Sequence, residues 1–229
     1  MALTEDYVIA PVRLLLFDDA KTRWPDTELR VWLNDGQRAI AMARIDACTA
    51  TRTLTLVAGV KQTIPSDCWL LLDIIRNVPA TSGSIGKAIR LCELEALTAQ
   101  YQAWPIEASS LTIENYSYDE RNPTVFYVYP PVANTAAVNV EAMLATVPTP
   151  TQNTSSPLSI GDMYAPILIN YVLWRAFSKD SGTPQGIQRA QMYLTAYLAG
   201  VQQIGQNLMQ SSPNTATEGG VYPKSTRSG

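Results

Sequence analysis

The chain contains no histidine in its 229 residues. That removes Ser-His-Asp and Cys-His nucleophile systems, the commonest general base, and every zinc site built on an imidazole. Cysteine is nearly missing as well. Cys48, Cys68 and Cys92 stand far apart with no CxxC spacing, in apolar surroundings. Neither a disulfide framework nor a cysteine-only zinc site is expected; buried free thiols in a reducing compartment are. Ionisable side chains make up only 16% of the chain, against about 25% in average proteins. The 17 Lys and Arg are scattered, and the net charge is -3. Tight binding to a phosphate backbone needs clustered cations, so a specific nucleic-acid binder is excluded. No apolar run approaches the roughly 18 residues of a membrane span. The opening MALTEDYVIAPVR lacks the basic start and apolar stretch of a signal peptide. No cofactor is implied.

In place of charge the chain carries Thr, Gln, Ser, Asn and Ala, together with 11 Tyr. Contact cores between subunits are depleted in charge and enriched in Tyr and Trp, so this composition favours a surface buried against neighbouring copies. Hydrophobic residues reach 46%, ordinary for a folded domain.

The periodicity predicts three kinds of segment. Residues 7–17 form a short apolar helix with Pro11 near its start. Pro25, placed as a first helical residue, opens an amphipathic helix over 25–46, with Asp26 and Glu28 in its first turn and Leu29, Trp32, Leu33, Gly36, Ala39, Ile40 and Ala43 at spacings of three and four. Gly36 on that face implies close approach of a second backbone. From residue 51 to about 147 the pattern becomes strand-like. Residues 53–57 alternate, Ala58-Gly59 turns, and 60–64 return. Pro65-Ser66-Asp67 opens a short helix through Leu71. Strands are expected over 73–78, 87–91, 111–118, 124–129 and 136–145, with a helical turn over 93–100. Asp119 to Pro123 is a hairpin loop, its arms facing Ile113, Tyr116 and Tyr118 against Val125, Tyr127 and Tyr129. Residues 148–159 are a Pro/Thr/Ser linker. Ser159 and Asp162 fit a capping pattern for a helix reaching Lys179, and a second helix follows from Ile187 to Leu208. Two helices joined so closely pack antiparallel. Residues 210–229 have no periodicity and too few apolar groups to offset their ordering entropy, so they form an extended tail.

The fold class expected is therefore α+β: an antiparallel helical bundle (1–50 and 155–209), an inserted, mostly antiparallel β lobe (51–150), and a flexible C-terminal tail (210–229). Catalytic signals are weak. Ser84-Ile85-Gly86-Lys87 matches S-x-x-K without its companion motifs, and the same stretch departs from a phosphate loop at its spacing and at Ala88. The pairs Asp18/Asp19, Glu93/Glu95 and Asp119/Glu120 have the residue types of acid–base chemistry, but adjacent acids in turns are more often solvated or capping groups. No catalytic or metal-binding residue is assigned.

Several patterns occur together in order: Trp24-Pro25 leading into Leu29 to Ile40, the Leu-x-x-Gly-x-x-Gln-x-Ile-Pro stretch at Leu56 to Pro65, Arg76-Asn77, Phe126 to Pro131, and YAPILINYVLWRAFSKD from Tyr164 to Asp180. In this order, over about residues 5–205, the chain resembles the head-to-tail adaptor (connector) proteins of tailed bacteriophages. The resemblance implies a non-enzymatic virion protein made in the host cytoplasm. It implies a homo-oligomeric ring of twelve copies between the portal protein and a tail or nozzle protein, with non-specific passage of double-stranded DNA and no membrane. It also implies that a C-terminal extension docks on the portal, and Val221, Tyr222, Pro223, Lys224 and Arg227 are the candidate docking residues. Another virion subunit (tail-tube or head-completion) and a carbohydrate-binding virion protein remain the alternatives.

Overall fold

In a computed structural model of the chain, the described residues are 4–79, 85–180 and 182–210. The chain folds as α+β and divides into two compact units, residues 1–44 with 149–229, and residues 45–148.

The first unit holds four long helices. These are α1 (Glu5–Leu16), α2 (Asp26–Ala43), α4 (Ala165–Lys179) and α5 (Pro184–Gln210). Helix α4 is the centre: Ile167, Leu168, Val172, Leu173 and Ala176 are buried, and it packs against α1, α2 and α5. Phe177 stacks on Tyr193, Tyr171 meets Tyr197 edge-on, and Ile167 lies against Gly200. Those pairs run in opposite order along the two helices, so α4 and α5 are antiparallel.

The loop from α1 to α2 is organised by one carboxylate. Asp18 accepts from the backbone N–H groups of Thr22, Arg23 and Trp24 at 3.0, 3.2 and 2.9 Å. Arg13 lies beside it and also pairs with Asp26. These bonds, the Trp24 N–H first, hold the Asp18 carboxyl below the usual carboxylate range. Asp26 is lowered chiefly by its hydrogen bond from Lys21.

The second unit is built on two sheets. Strands β1 (Thr49–Leu56), β7 (Val138–Thr146) and β3 (Cys68–Val78) form one, in the order β1-β7-β3. Strands β2 (Gly59–Thr63), β6 (Val125–Val132), β5 (Asn115–Tyr118) and β4 (Arg90–Leu91) form the other, in the order β2-β6-β5-β4. All pairings are antiparallel except β4 with β5. Residues from both sheets share one core, including Leu54, Leu71, Ile74, Phe126, Val128, Val140 and Leu144. A short helix, α3 (Leu94–Gln100), precedes a 3-10 turn at Trp104–Ile106.

Several sequence-based expectations are corrected. Pro11 lies inside α1 rather than at its start. Pro25 caps α2 from outside, its carbonyl accepting from Glu28 and Leu29. Gly36 is approached by side chains and not by a second backbone: a Cβ there would sit 2.8 Å from Tyr171 Cδ1 and 3.1 Å from Leu168 Cδ1. The helix expected over 65–71 is absent; a turn closed by the Cys68 N–H on the Pro65 carbonyl leads straight into β3. The residues buried in β3 are Cys68, Leu71, Ile74 and Asn77, a spacing of three that imitates a helix. Register shifts at Cys68/Leu70, Leu71/Asp73 and Ile74/Arg76 cause it, because each bulge breaks the two-residue alternation.

Strands β1 and β2 do not form the hairpin that the Ala58-Gly59 turn suggests; β1 pairs with β7 and β2 with β6. The Gln62 amide supplies the missing link instead, accepting from Val57 N–H and donating to the Val57 and Gly59 carbonyls. The β5–β6 hairpin is present but with the opposite face of β6 inward. Tyr116 pairs with Val128 and Tyr118 with Phe126, so Phe126 and Val128 enter the core. Tyr127 and Tyr129 turn outward, meeting Trp104 edge-on and stacking on Tyr101. Ser159 caps no helix: its hydroxyl binds the Thr149 backbone, and Asp162 starts a 3-10 turn before α4. Cys48 and Cys68 are buried free thiols, whereas Cys92 is only partly buried.

Candidate interaction surfaces

Among the described residues the weak catalytic signals of the sequence do not come together, and their positions explain why. Asp18 is consumed by backbone amides, while Asp19 is exposed. Lys87 is exposed, and its carbonyl accepts from the Asn77 backbone and side-chain amides. Gly86 is there for space, since a Cβ would fall 1.9 Å from the Asn77 carbonyl oxygen. Ser84, the other end of that motif, lies outside the described residues.

The second unit brings Glu93, Glu95, Asp119 and Glu120 around one open cleft of about 710 Å³, floored by Ser117, Tyr118 and Tyr127. The Arg121 guanidinium grips Asp119 with two parallel bonds of 3.0 and 2.8 Å and holds its carboxyl below the usual range. The other three carboxylates are exposed. A general acid at neutral pH needs burial or a neighbouring anion to keep its proton, and Asp119 has the opposite environment. Among the described residues no group of acids and thiols is placed to hold a metal ion.

What the first unit does present is exposed apolar surface. Phe17 is 91% exposed, Leu14 66%, Tyr7 64%, and Met42 80%. On α5, Ile187, Met192, Leu198 and Leu208 are each about half exposed. Phe17 stands out because it closes α1 in a left-handed conformation (φ 53°, ψ 39°). Glycine is the usual residue there, and a side chain costs about 1 kcal/mol. Sequence reasoning took Ile187, Leu198 and Leu208 as part of the second helix's apolar stripe and did not foresee that any of these residues would be exposed. Their signal was present, since α5 carries Arg189 as its only Asp, Glu, Lys or Arg, yet apolar spacing alone does not say which stripe of a helix faces inward.

Val221, Tyr222, Pro223, Lys224 and Arg227 lie outside the described residues, so the structure brings none of them to a surface. Among the described residues no helix is long and apolar enough to cross a membrane.

No curated protein matches the chain. The family model described as SU10 adaptor protein matches residues 7–218, which takes in both compact units. The chain belongs to the SU10 adaptor protein family, a family of phage head-to-tail adaptors.

Proposed function

We propose that this phage adaptor is the subunit of a closed ring, twelve copies around, that joins the portal of the head to the tail and passes double-stranded DNA during packaging and ejection. The family match across residues 7–218 carries the reading. Its support in the chain is physical. A surface poor in charge, with large apolar side chains half or more exposed, is costly for a solitary protomer and useful to one that closes against its neighbours. The net charge of -3 suits a channel along which DNA slides, because few counterions are released on contact. An arginine-lined channel holding ordered DNA phosphates, seen by electron cryomicroscopy, would contradict that part of the reading.

The C-terminal tail is the proposed portal contact. Twenty residues reach roughly 65 Å when extended. The segment Val221-Tyr222-Pro223-Lys224, with Arg227 beyond it, offers contact area at low entropic cost and a local positive charge. Removing the residues after 209 tests this directly. The shortened protein is expected to fold with an unchanged circular-dichroism melt and to lose binding to purified portal rings. Undiminished portal binding would show that the tail is not the contact.

A further inference from the structure

The acidic cleft of the second unit lies on the outer side of the β2-β6-β5-β4 sheet. Along β5, Tyr116 and Tyr118 turn toward the core. Ser117 stands between them and points to the opposite face, as does Tyr127, its partner across the strand pair. Ser117 and Tyr127 thus lie on the floor of the cleft. Its rims are the start of α3, with Glu93 and Glu95, and the β5–β6 turn, with Asp119 and Glu120. The rims are within electrostatic reach of each other: Asp119 first, and Glu95 more weakly, raise the Arg121 guanidinium above its ordinary value. Four carboxylates against one guanidinium leave the cleft lining with a formal charge of -3.

Two features separate this cleft from an ordinary solvated turn. The first is Ser117. It is 5% exposed, it lines the cleft, and its hydroxyl has no hydrogen-bond partner among the described residues. A buried hydroxyl left so is unfavourable unless something enters to meet it. The second is the set of unused carboxylates. Asp119 is held by Arg121, but Glu93 precedes α3 without capping it, and Glu93, Glu95 and Glu120 form no ion pair or hydrogen bond among the described residues.

The shape and charge select the ligand. A hollow of about 600 Å³ continues from the cleft along α3, sharing Leu94 and Glu95. Helix α3 has seven residues and is about 10 Å long, a distance that roughly three residues of extended chain span. A divalent ion needs converging oxygens, and no such group of acids occurs among the described residues. A nucleic-acid phosphate is repelled by the same carboxylates. A lysine side chain fits each feature. Its ammonium has three donors for carboxylates that come from separate elements, and for the Ser117 Oγ. Its alkyl stem can lie on Leu94, Val125 and Tyr127.

We infer that this groove is the docking site for a short lysine-bearing segment of a partner protein. Glu93, Glu95 and Glu120 receive the ammonium groups, and the Ser117 Oγ accepts from the deepest of them. The inference uses neither the copy number of the ring nor the C-terminal tail, and it holds or fails apart from both.

The test is a titration of the full-length protein at low salt with a labelled, end-blocked peptide, Ala-Lys-Ala-Lys-Ala, followed by fluorescence anisotropy. The lysine peptide is expected to bind, and its glutamate counterpart is not. Glu95→Gln with Glu120→Gln is expected to weaken binding about tenfold. Asp6→Asn with Asp19→Asn makes the same change in net charge on exposed residues of the other unit, and is expected to leave binding unchanged. Ser117→Ala is the sharper variant. It removes an unpaired hydroxyl, so the melt is expected to hold or rise while peptide binding falls about threefold. No binding of the lysine peptide, equal weakening by both double variants, or undiminished binding by Ser117→Ala would overturn the site. Spermidine binding as tightly as the peptide would assign the cleft to a free polyamine. A gain of affinity in Lys224→Ala with Arg227→Ala would assign it to the chain's own tail. Either result would overturn the partner segment.

Discussion

Asp18 and Gly36 show how single residues set the helical unit. The Asp18 carboxylate accepts three backbone N–H groups and fixes the turn that feeds α2. Folding lowers its pKa and that of Asp26. The stability they contribute is therefore complete above the unfolded carboxylate value of about pH 4 and drains away as pH falls through the lowered native values. Thermal melts between neutral and strongly acid pH are expected to show that loss, and Asp18→Asn is expected to melt lower at pH 7 with a flatter acid limb. Gly36 leaves room for the Tyr171 ring. Ala at this position gains helix propensity but forces the ring aside, and the net loss is expected to be about 1–2 kcal/mol in denaturant unfolding. Tyr116 gives a signal at the alkaline end. Burial first, then its hydrogen bond to Asp73, pushes its hydroxyl up to about 12. The stability tied to that proton is present below the ordinary tyrosine value and is lost as pH rises toward 12.

Among the elements, the segment 148–159 departs furthest from its appearance in sequence. Its Pro, Thr and Ser composition reads as a linker, yet Thr151 is buried and the segment is strapped to α2. Asn34 accepts from the Thr151 N–H at 2.9 Å and donates to its carbonyl at 3.3 Å, while Gln37 accepts from the Ser159 N–H at 2.9 Å. Gln37→Leu keeps the volume and removes the acceptor, at an expected cost of about 1–3 kcal/mol in chemical denaturation. If the melt and midpoint do not move, the strap is not structural.

The helices were legible because their inward stripes are strongly periodic and their ends carry caps or breaks, as at Pro25 and at Lys179 to Pro184. The sheets were legible as strands but, apart from the β5–β6 hairpin, not as pairings. Nothing local tells Leu54 that its partner is Val140, or Gln62 that it faces Phe126. Bulges hid β3 by giving it a three-residue burial period. The inward face of β6 was misread because Tyr127 and Tyr129 are the larger side chains, and their cover, Tyr101 and Trp104, lies more than 20 residues away in sequence.

Over the whole molecule, the scarcity of charge, the family match and the exposed apolar helices point the same way, toward a protein whose work is to assemble. The measurement that bears most directly on this is the mass of the particle formed by purified protein, alone and on portal rings, read by native mass spectrometry and counted in class averages from electron microscopy. The account predicts one closed ring with twelve copies. A protomer that stays single on a saturated portal, or that assembles only in pairs, would contradict it.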